Sequence, residues 1–336
     1  MKVAIFSTQS YDRLYLDRYK EGSQLELTYF DAALDEHTAG LTQGFEAVCI
    51  FVNDRVDLET ANIISANGVR AVVLRCAGFN NVDVAAAHER GVKVLRVPAY
   101  SPQAVAEHTV ALILTLNRKT HKAYNRVREH NFSLERMMGF NLYGKTVGVI
   151  GTGQIGAAFC RIMLGFGCTV IAYDPLPSPA LKVQGVTYVP LEELLRTSDI
   201  ISLHCPLTPA THHLINKEGF DMMKNGVMLI NTSRGAVIQT RDAVQALKSE
   251  KLGYLGIDVY EQEENLFFRD LSERIVPDDL IARLMAFPNV LITAHQGFFT
   301  KEALQQIAVT TIKNLNDVAL GTTSQNEILP ESKVYR

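Results

Sequence analysis

Val147-Gly148-Val149-Ile150 runs directly into Gly151-Thr152-Gly153-Gln154-Ile155-Gly156, and a helical pattern, Gln154–Gly165, follows. An apolar run, a G-x-G-x-x-G turn and a helix form the start of a dinucleotide-binding unit. The first glycine permits the tight turn, the second lets the backbone approach a pyrophosphate, and the third lets helix and strand pack closely. The helix N-terminus then faces the anion. Asp174 stands 23 residues after Gly151, ending the next apolar run, Ile171-Ala172-Tyr173-Asp174. A carboxylate there accepts hydrogen bonds from both adenosine ribose hydroxyls and repels a 2′-phosphate. The residues that follow are Pro175, Leu176 and Pro177, with no arginine, so the expected cofactor is NAD rather than NADP.

The same alternation extends outward in both directions. Short apolar runs read as strands at Val3–Ser7, Ala47–Phe51, Ala71–Arg75, Lys93–Val97, Thr146–Ile150, Thr169–Tyr173, Ile200–Leu203, Met228–Asn231, Leu255–Asp258 and Val290–Thr293. Helical patterns intervene, as at Asn81–Arg90 and Arg241–Glu250. Continuous apolar runs suit strands buried on both faces, and their alternation with helices predicts parallel sheets. The fold class expected is α/β: two doubly wound parallel-sheet domains of Rossmann or flavodoxin type, with an active-site cleft between them. Because some 145 residues precede the glycine turn, the boundaries predicted are 1–100 plus 298–336 for a discontinuous substrate domain. Residues 101–297 form the predicted NAD-binding domain. Ser101-Pro102 caps and opens a long helix predicted to run to about 128. Its Ala104, Val105, Val110, Ala111, Leu112, Ile113 and Leu114 exceed one core-facing stripe, which leaves two readings open: packing between domains and against a second subunit, or a core helix wholly within the chain.

Composition narrows the function. The chain has 336 residues, 47% hydrophobic and 21% charged, with a formal net charge of -3. Two domains fit that length at roughly 150 residues each. No global field attracts nucleic acid or an acidic membrane surface. The apolar run Val110–Leu116 is too short to span a bilayer, and Met1–Phe6 leads straight into a strand pattern, so the expected location is the cytoplasm. Cys49, Cys76, Cys160, Cys168 and Cys205 are scattered without a C-x-x-C, as buried reduced thiols are. No metal site is expected: His212-His213 are adjacent rather than a turn apart. His37, His88, His121 and His130 read as exposed, and His204 as lining the cofactor.

Three polar clusters end predicted strands, the end at which doubly wound sheets bind ligands. In Asn231-Thr232-Ser233-Arg234-Gly235 the planar fork of Arg234 suits a carboxylate. In Asp258-Val259-Tyr260-Glu261-Gln262-Glu263-Glu264, Asp258 is placed to accept a nicotinamide carboxamide, and spacing alone does not choose among the glutamates. In Thr293-Ala294-His295-Gln296-Gly297, His295 follows the last strand. A carboxylate beside such a histidine orients the ring and favours its protonated form, ready to donate to a developing alkoxide.

Taken in order, these motifs resemble the D-isomer-specific 2-hydroxyacid dehydrogenases over nearly the whole chain. The resemblance implies that Arg234 binds the substrate carboxylate, that Glu263 pairs with the histidine, and that His295 is the acid/base. It implies a cofactor site of Gly151, Gly153, Gln154, Ile155, Gly156, Asp174, Cys205, Pro206, Thr211, Thr232, Ser233, Arg234 and Asp258. Finer features resemble the members that convert pyruvate to D-lactate: Ser10-Tyr11-Asp12, Arg75-Cys76-Ala77-Gly78-Phe79-Asn80-Asn81-Val82-Asp83, Pro98-Ala99-Tyr100-Ser101-Pro102 and His295-Gln296-Gly297-Phe298-Phe299. They imply that Ala77 and Gly78 offer backbone N–H groups to the carboxylate. Tyr100 and Phe299 would close a small pocket around a methyl group. Gly297 departs from the expected small residue such as alanine, a change read as mild. A homodimer or homotetramer is implied. A broader enzyme for larger 2-keto acids and an NADH-sensing corepressor on the same scaffold are the competing readings.

Overall fold

The computed structural model describes residues 1–263 and 266–331. The described residues divide into two compact units, one made of Met1–Ser101 together with 299–331, the other of Pro102–Phe298.

The first unit is a six-stranded sheet. Its strands are β1 (Lys2–Ile5), β2 (Glu26–Tyr29), β3 (Ala47–Ile50), β4 (Ala71–Leu74), β5 (Lys93–Leu95) and β13 (Glu327–Ile328), in the order β13-β5-β4-β3-β1-β2. All pairs are parallel except β13 with β5, where Glu327 faces Leu95. β3 and β4 are buried at every residue, as strands covered on both faces must be. Along one face, Val3, Ile5, Ala47, Cys49, Ala71 and Val73 meet Leu16 of α1 (Ser10–Tyr19) and Ala308, Ile312 and Leu315 of α12 (Lys301–Leu320). Helices α2 (Leu58–Ala66) and α3 (Val84–Glu89) start at Asp57 and Asp83, whose carboxylates accept from the free N–H groups of the first turn.

The second unit is a seven-stranded, wholly parallel sheet in the order β12-β11-β10-β9-β6-β7-β8. The strands are β6 (Thr146–Ile150), β7 (Thr169–Tyr173), β8 (Thr187–Tyr188), β9 (Ile200–Leu203), β10 (Val227–Asn231), β11 (Leu252–Ile257) and β12 (Val290–Ile292). Its period-two alternation feeds two cores. Leu203, Leu229 and Ile257 pack with α8 (Leu191–Thr197), α9 (Lys217–Met222), α10 (Thr240–Lys248) and α11 (Asp279–Met285). Val147, Val149, Met228 and Ile230 pack with α4 (Pro102–Arg118) and α6 (Gln154–Gly165). A fully buried side chain such as Phe159 of α6 contributes about 1.5–3 kcal/mol. The short helices α5 (Thr120–Arg128) and α7 (Pro179–Val183) complete the unit.

Two expectations need correction. The long helix is two: Lys119 adopts φ 52, which ends α4 before α5 begins, and its Nζ donates to the carbonyls of Arg136 and Met138. Val110, Leu112, Ile113 and Leu114 of α4 pack inside their own unit, against α6, β10 and β11, as the wholly intrachain alternative expects, while Ala111 is exposed. His121 is half-buried rather than exposed, its Nδ1 enclosed. The strands β2, β8 and β13 went unread because edge strands need no apolar run: β2 is Glu-Leu-Thr-Tyr, with no residue fully buried. All five cysteines are free and buried, and burial pushes the Cys205 thiol up to about 12.

Candidate active site

In the second unit, the ends of β6, β7, β9, β10, β11 and β12 carry the polar clusters. The glycine turn follows β6. Gly151 takes φ +91, and a Cβ on it would stand 2.6 Å from the Cys205 nitrogen. A Cβ on Gly156 would collide with the Gly151 carbonyl. Gly153 and Gln154 are exposed at the N-terminus of α6, and Ile155 is half-buried beside them. At the end of β7, Asp174 Oδ2 accepts from the Thr152 backbone N–H (2.7 Å) and hydroxyl (3.0 Å), and Oδ1 accepts from the Leu176 N–H (2.8 Å). The carboxylate is thereby tied to the glycine turn. After β9, His204 shares a hydrogen bond with the Ser202 hydroxyl (2.9 Å), and burial pushes its pKa down to about 3, so the ring is neutral. The Thr211 hydroxyl donates to the Pro206 carbonyl (2.6 Å), closing the loop that starts at Cys205.

After β10, Asn231 organises the arginine turn. Its Oδ1 accepts from the Ser233 N–H (3.0 Å) and hydroxyl (2.8 Å), and its Nδ2 donates to the Arg234 carbonyl (2.9 Å). Thr232 is buried, its hydroxyl 2.9 Å from that of Thr109 on α4. Arg234 Nη1 donates to the Ser233 carbonyl (2.6 Å).

The histidine turn follows β12. His295 Nδ1 lies 2.8 Å from Glu263 Oε1. A carboxylate only accepts, so Nδ1 carries the hydrogen and Nε2 is the nitrogen that exchanges a proton. Glu263 is held in turn by the Tyr260 N–H on Oε2 (2.8 Å). Glu261 faces elsewhere: it pairs with His213 (2.7 Å) and accepts from the Thr240 N–H. Burial would raise the Glu261 carboxyl, but the hydrogen bonds from Thr240 and His213 outweigh it and hold the group below its ordinary value. Glu264 lies outside the described residues.

Asp258 sits between the arginine and histidine turns in sequence and is buried in the fold. It is 2% exposed. Its Oδ1 accepts from the Thr293 hydroxyl (2.5 Å) and the Gln296 N–H (2.9 Å), and its Oδ2 from the Gly297 N–H (2.8 Å). It clamps the histidine turn from within, and Oδ2 has the Gly297 N–H as its one hydrogen-bond donor among the described residues.

In the first unit, the loop after β4 holds Ala77 and Gly78, whose carbonyls accept from Arg96 Nη1 (2.8 Å) and the Cys76 thiol (3.2 Å). Phe299 is half-exposed and meets the Tyr11 ring edge-on at 4.9 Å between centroids. Tyr100 is half-buried.

The family model of the D-isomer specific 2-hydroxyacid dehydrogenase NAD-binding domain matches residues 110–297. The chain belongs to the D-isomer-specific 2-hydroxyacid dehydrogenases. It is 53% identical over 329 residues to a D-lactate dehydrogenase of Escherichia coli, which covers 98% of this chain and 100% of that protein. The apo structure of D-lactate dehydrogenase from Escherichia coli superposes with a TM-score of 0.89 at 52% identity, over 98% of this chain and 100% of the other. The D-lactate dehydrogenase of Aquifex aeolicus, solved with NAD and lactic acid, superposes with a TM-score of 0.84 at 34% identity, over 95% and 96% of the two chains.

As a member of this family the chain takes NAD, and its residues fit that cofactor. The cradle at Gly151 and Gly156 has no room for side chains, the N–H groups opening α6 are uncovered, and a carboxylate stands at the turn. His108, Thr109 and Thr293 are site residues that the sequence did not single out. The signal for the first two was a polar pair, His108-Thr109, inside the apolar pattern of α4, and for Thr293 its place at the head of the polar cluster that carries His295. Among the described residues no cluster of acidic, histidine or cysteine side chains could hold a metal ion, and no helix is long and apolar enough to cross a membrane.

Proposed function

We propose that this 2-hydroxyacid dehydrogenase interconverts pyruvate and D-lactate with NAD. The observation that carries the chemistry is the 2.8 Å contact between His295 Nδ1 and Glu263 at the end of a strand. The whole-chain identity to a D-lactate dehydrogenase supports the choice of substrate. When bound, NADH supplies the hydride that reduces the carbonyl carbon. Arg234 grips the substrate carboxylate in two parallel hydrogen bonds. In the first unit, Ala77 and Gly78 serve the carboxylate through backbone N–H groups, and Tyr100 and Phe299 enclose the methyl group. His295 donates the proton from Nε2 to the oxygen as charge develops on it, and Glu263 stabilises the imidazolium before the transfer. In the oxidative direction neutral Nε2 takes the hydroxyl proton.

The cofactor cradle is assigned to Gly151, Gly153, Gln154, Ile155 and Gly156, with Asp174 on the ribose. Cys205, Pro206, Thr211, Thr232 and Ser233 line the remainder. The protein acts in the cytoplasm as a homodimer or homotetramer. Exposed apolar side chains support self-association, and they lie beyond α4, at Tyr124, Phe132, Leu134, Met138 and Tyr143.

The test is NADH oxidation over a panel of 2-keto acids with chiral analysis of the product. Pyruvate turned over to D-lactate, and preferred, is the expected result. Preference for a longer keto acid replaces the substrate, and tight NADH binding without turnover favours a sensor. Arg234→Gln is expected to raise the pyruvate KM at least tenfold, about the loss of a charged bidentate pair; an unchanged KM removes the clamp.

A further inference from the structure

His295 takes φ 52, a left-handed conformation that a residue with a side chain rarely adopts. Something must hold it there, and Glu263 touches only the ring. The backbone is held by Asp258. Its carbonyl accepts from the His295 N–H (2.7 Å), and its two carboxylate oxygens accept from the next two N–H groups, those of Gln296 and Gly297.

What holds Asp258 comes from α4, at a distance of 150 residues in the chain. His108 Nε2 lies 3.0 Å from the Thr293 hydroxyl oxygen and 3.3 Å from Asp258 Oδ1. The Thr293 hydroxyl has one hydrogen, and at 2.5 Å it belongs to Asp258. The Thr293 oxygen can therefore only accept from His108, so Nε2 carries a hydrogen and donates. The chain of bonds runs from His108 through Thr293 and Asp258 to the backbone of residues 295–297. The adjacent residue, Thr109, meets Thr232 beside the arginine turn, and its own hydroxyl donates to the Val105 carbonyl (2.8 Å). Two consecutive residues of one helix thus touch the two turns that carry the acid/base and the carboxylate clamp.

We propose that His108 is a positioning residue for the reaction: its Nε2–H, acting through Thr293 and Asp258, holds the histidine turn so that His295 presents Nε2 to the substrate oxygen. It rests on the functional reading above. A small displacement of a proton donor, on the order of 1 Å, is enough to lower turnover about 100-fold. Thr109 gives the contrast within the same helix, since its contact leads to the clamp.

The experiment compares His108→Leu, His108→Gln, Thr293→Val and Thr109→Val with the wild-type chain. It measures kcat, pyruvate KM, NADH affinity by cofactor fluorescence and Tm. His108→Leu is expected to lower kcat about 10- to 100-fold with NADH affinity within about twofold of wild type. His108→Gln, whose amide N–H can replace Nε2–H, is expected to recover most of the loss. Thr293→Val reproduces the kcat defect even should His108→Leu fail to fold. Thr109→Val is expected to change pyruvate KM more than kcat. An active wild type with undiminished kcat in both His108→Leu and Thr293→Val overturns the proposal, as does His108→Gln no better than a folded His108→Leu. A wild type without turnover on any 2-keto acid overturns the functional reading and this inference with it.

Discussion

Two left-handed turns end strands of the same sheet, Gly151 after β6 at φ +91 and His295 after β12 at φ 52. The first is made by absence. Glycine adopts that conformation without steric cost, and the missing Cβ leaves room for the Cys205 backbone. The second is made by constraint. A histidine there costs on the order of 1–2 kcal/mol, and three partners from elsewhere in the sequence hold it: Asp258 on the backbone, Glu263 on the ring and His108 behind Asp258. A turn that only needs to admit a ligand can be built locally. A turn that must aim a reactive atom needs bonds from several directions.

Substitutions can separate the two turns. The largest effect is expected for His295→Ala, which removes the proton donor and leaves the glycine turn intact: kcat falls about 100- to 10,000-fold while NADH affinity stays within about twofold. Near-normal turnover would sink the acid/base role. Gly151→Ala should do the reverse, placing a methyl group 2.6 Å from a backbone nitrogen. Weaker NADH binding and a stability loss of about 1–3 kcal/mol are expected, measured by cofactor fluorescence and thermal unfolding. Unchanged NADH affinity would show that the close backbone approach is not needed.

Asp258→Asn weakens the clamp by about 1.5–3 kcal/mol, the worth of hydrogen bonds to a charged acceptor. Its pH dependence has a definite sign. Burial raises the Asp258 carboxyl, but the hydrogen bonds from His108 and Thr293, the His108 charge and the Gln296 N–H together hold it below the usual carboxylate range. A carboxyl depressed in the folded state contributes its full stability above the unfolded value, about 3.9, and loses it as the pH falls through the folded value. The Tm gap between wild type and Asp258→Asn should therefore be widest near neutrality and close below about pH 4; a gap independent of pH would mean that the charge of Asp258 does not matter. The smallest effect is expected for Gly297→Ala, whose methyl group would stand 3.0 Å from Asp258 Oδ2. A shift of a few tenths of an ångström in the clamp should change stability by less than about 1 kcal/mol and kcat by less than about threefold. A larger loss in kcat would mark the clamp as rigid.

The same contrast explains what could be read along the chain. Central strands such as β3 and β4 are short apolar runs because both faces are covered, so they are visible one residue at a time. The edge strand β2 carries Glu26 and Thr28 and reads as a loop. The break at Lys119 was hidden because the residues on both sides favour helix, and the chain turns there through carbonyls at Arg136 and Met138 that lysine reaches from a distance. Among the acidic residues after β11, spacing named several candidates, and only the fold separates Glu263 on His295 from Glu261 on His213.

By itself the sequence determined what depends on neighbours in the chain: the parallel α/β architecture, the glycine turn and the carboxylate that follows it one strand later. Each rests on periodicity or on the allowed conformations of single residues, and both are local. Tertiary structure alone decided which way Asp258 faces, which glutamate meets His295, and that a helix beginning at Pro102 supplies His108 to a turn near residue 295. Those outcomes depend on hydrogen bonds between groups far apart in the chain, and a donor's partner is chosen by distance in space, which no spacing along the backbone encodes.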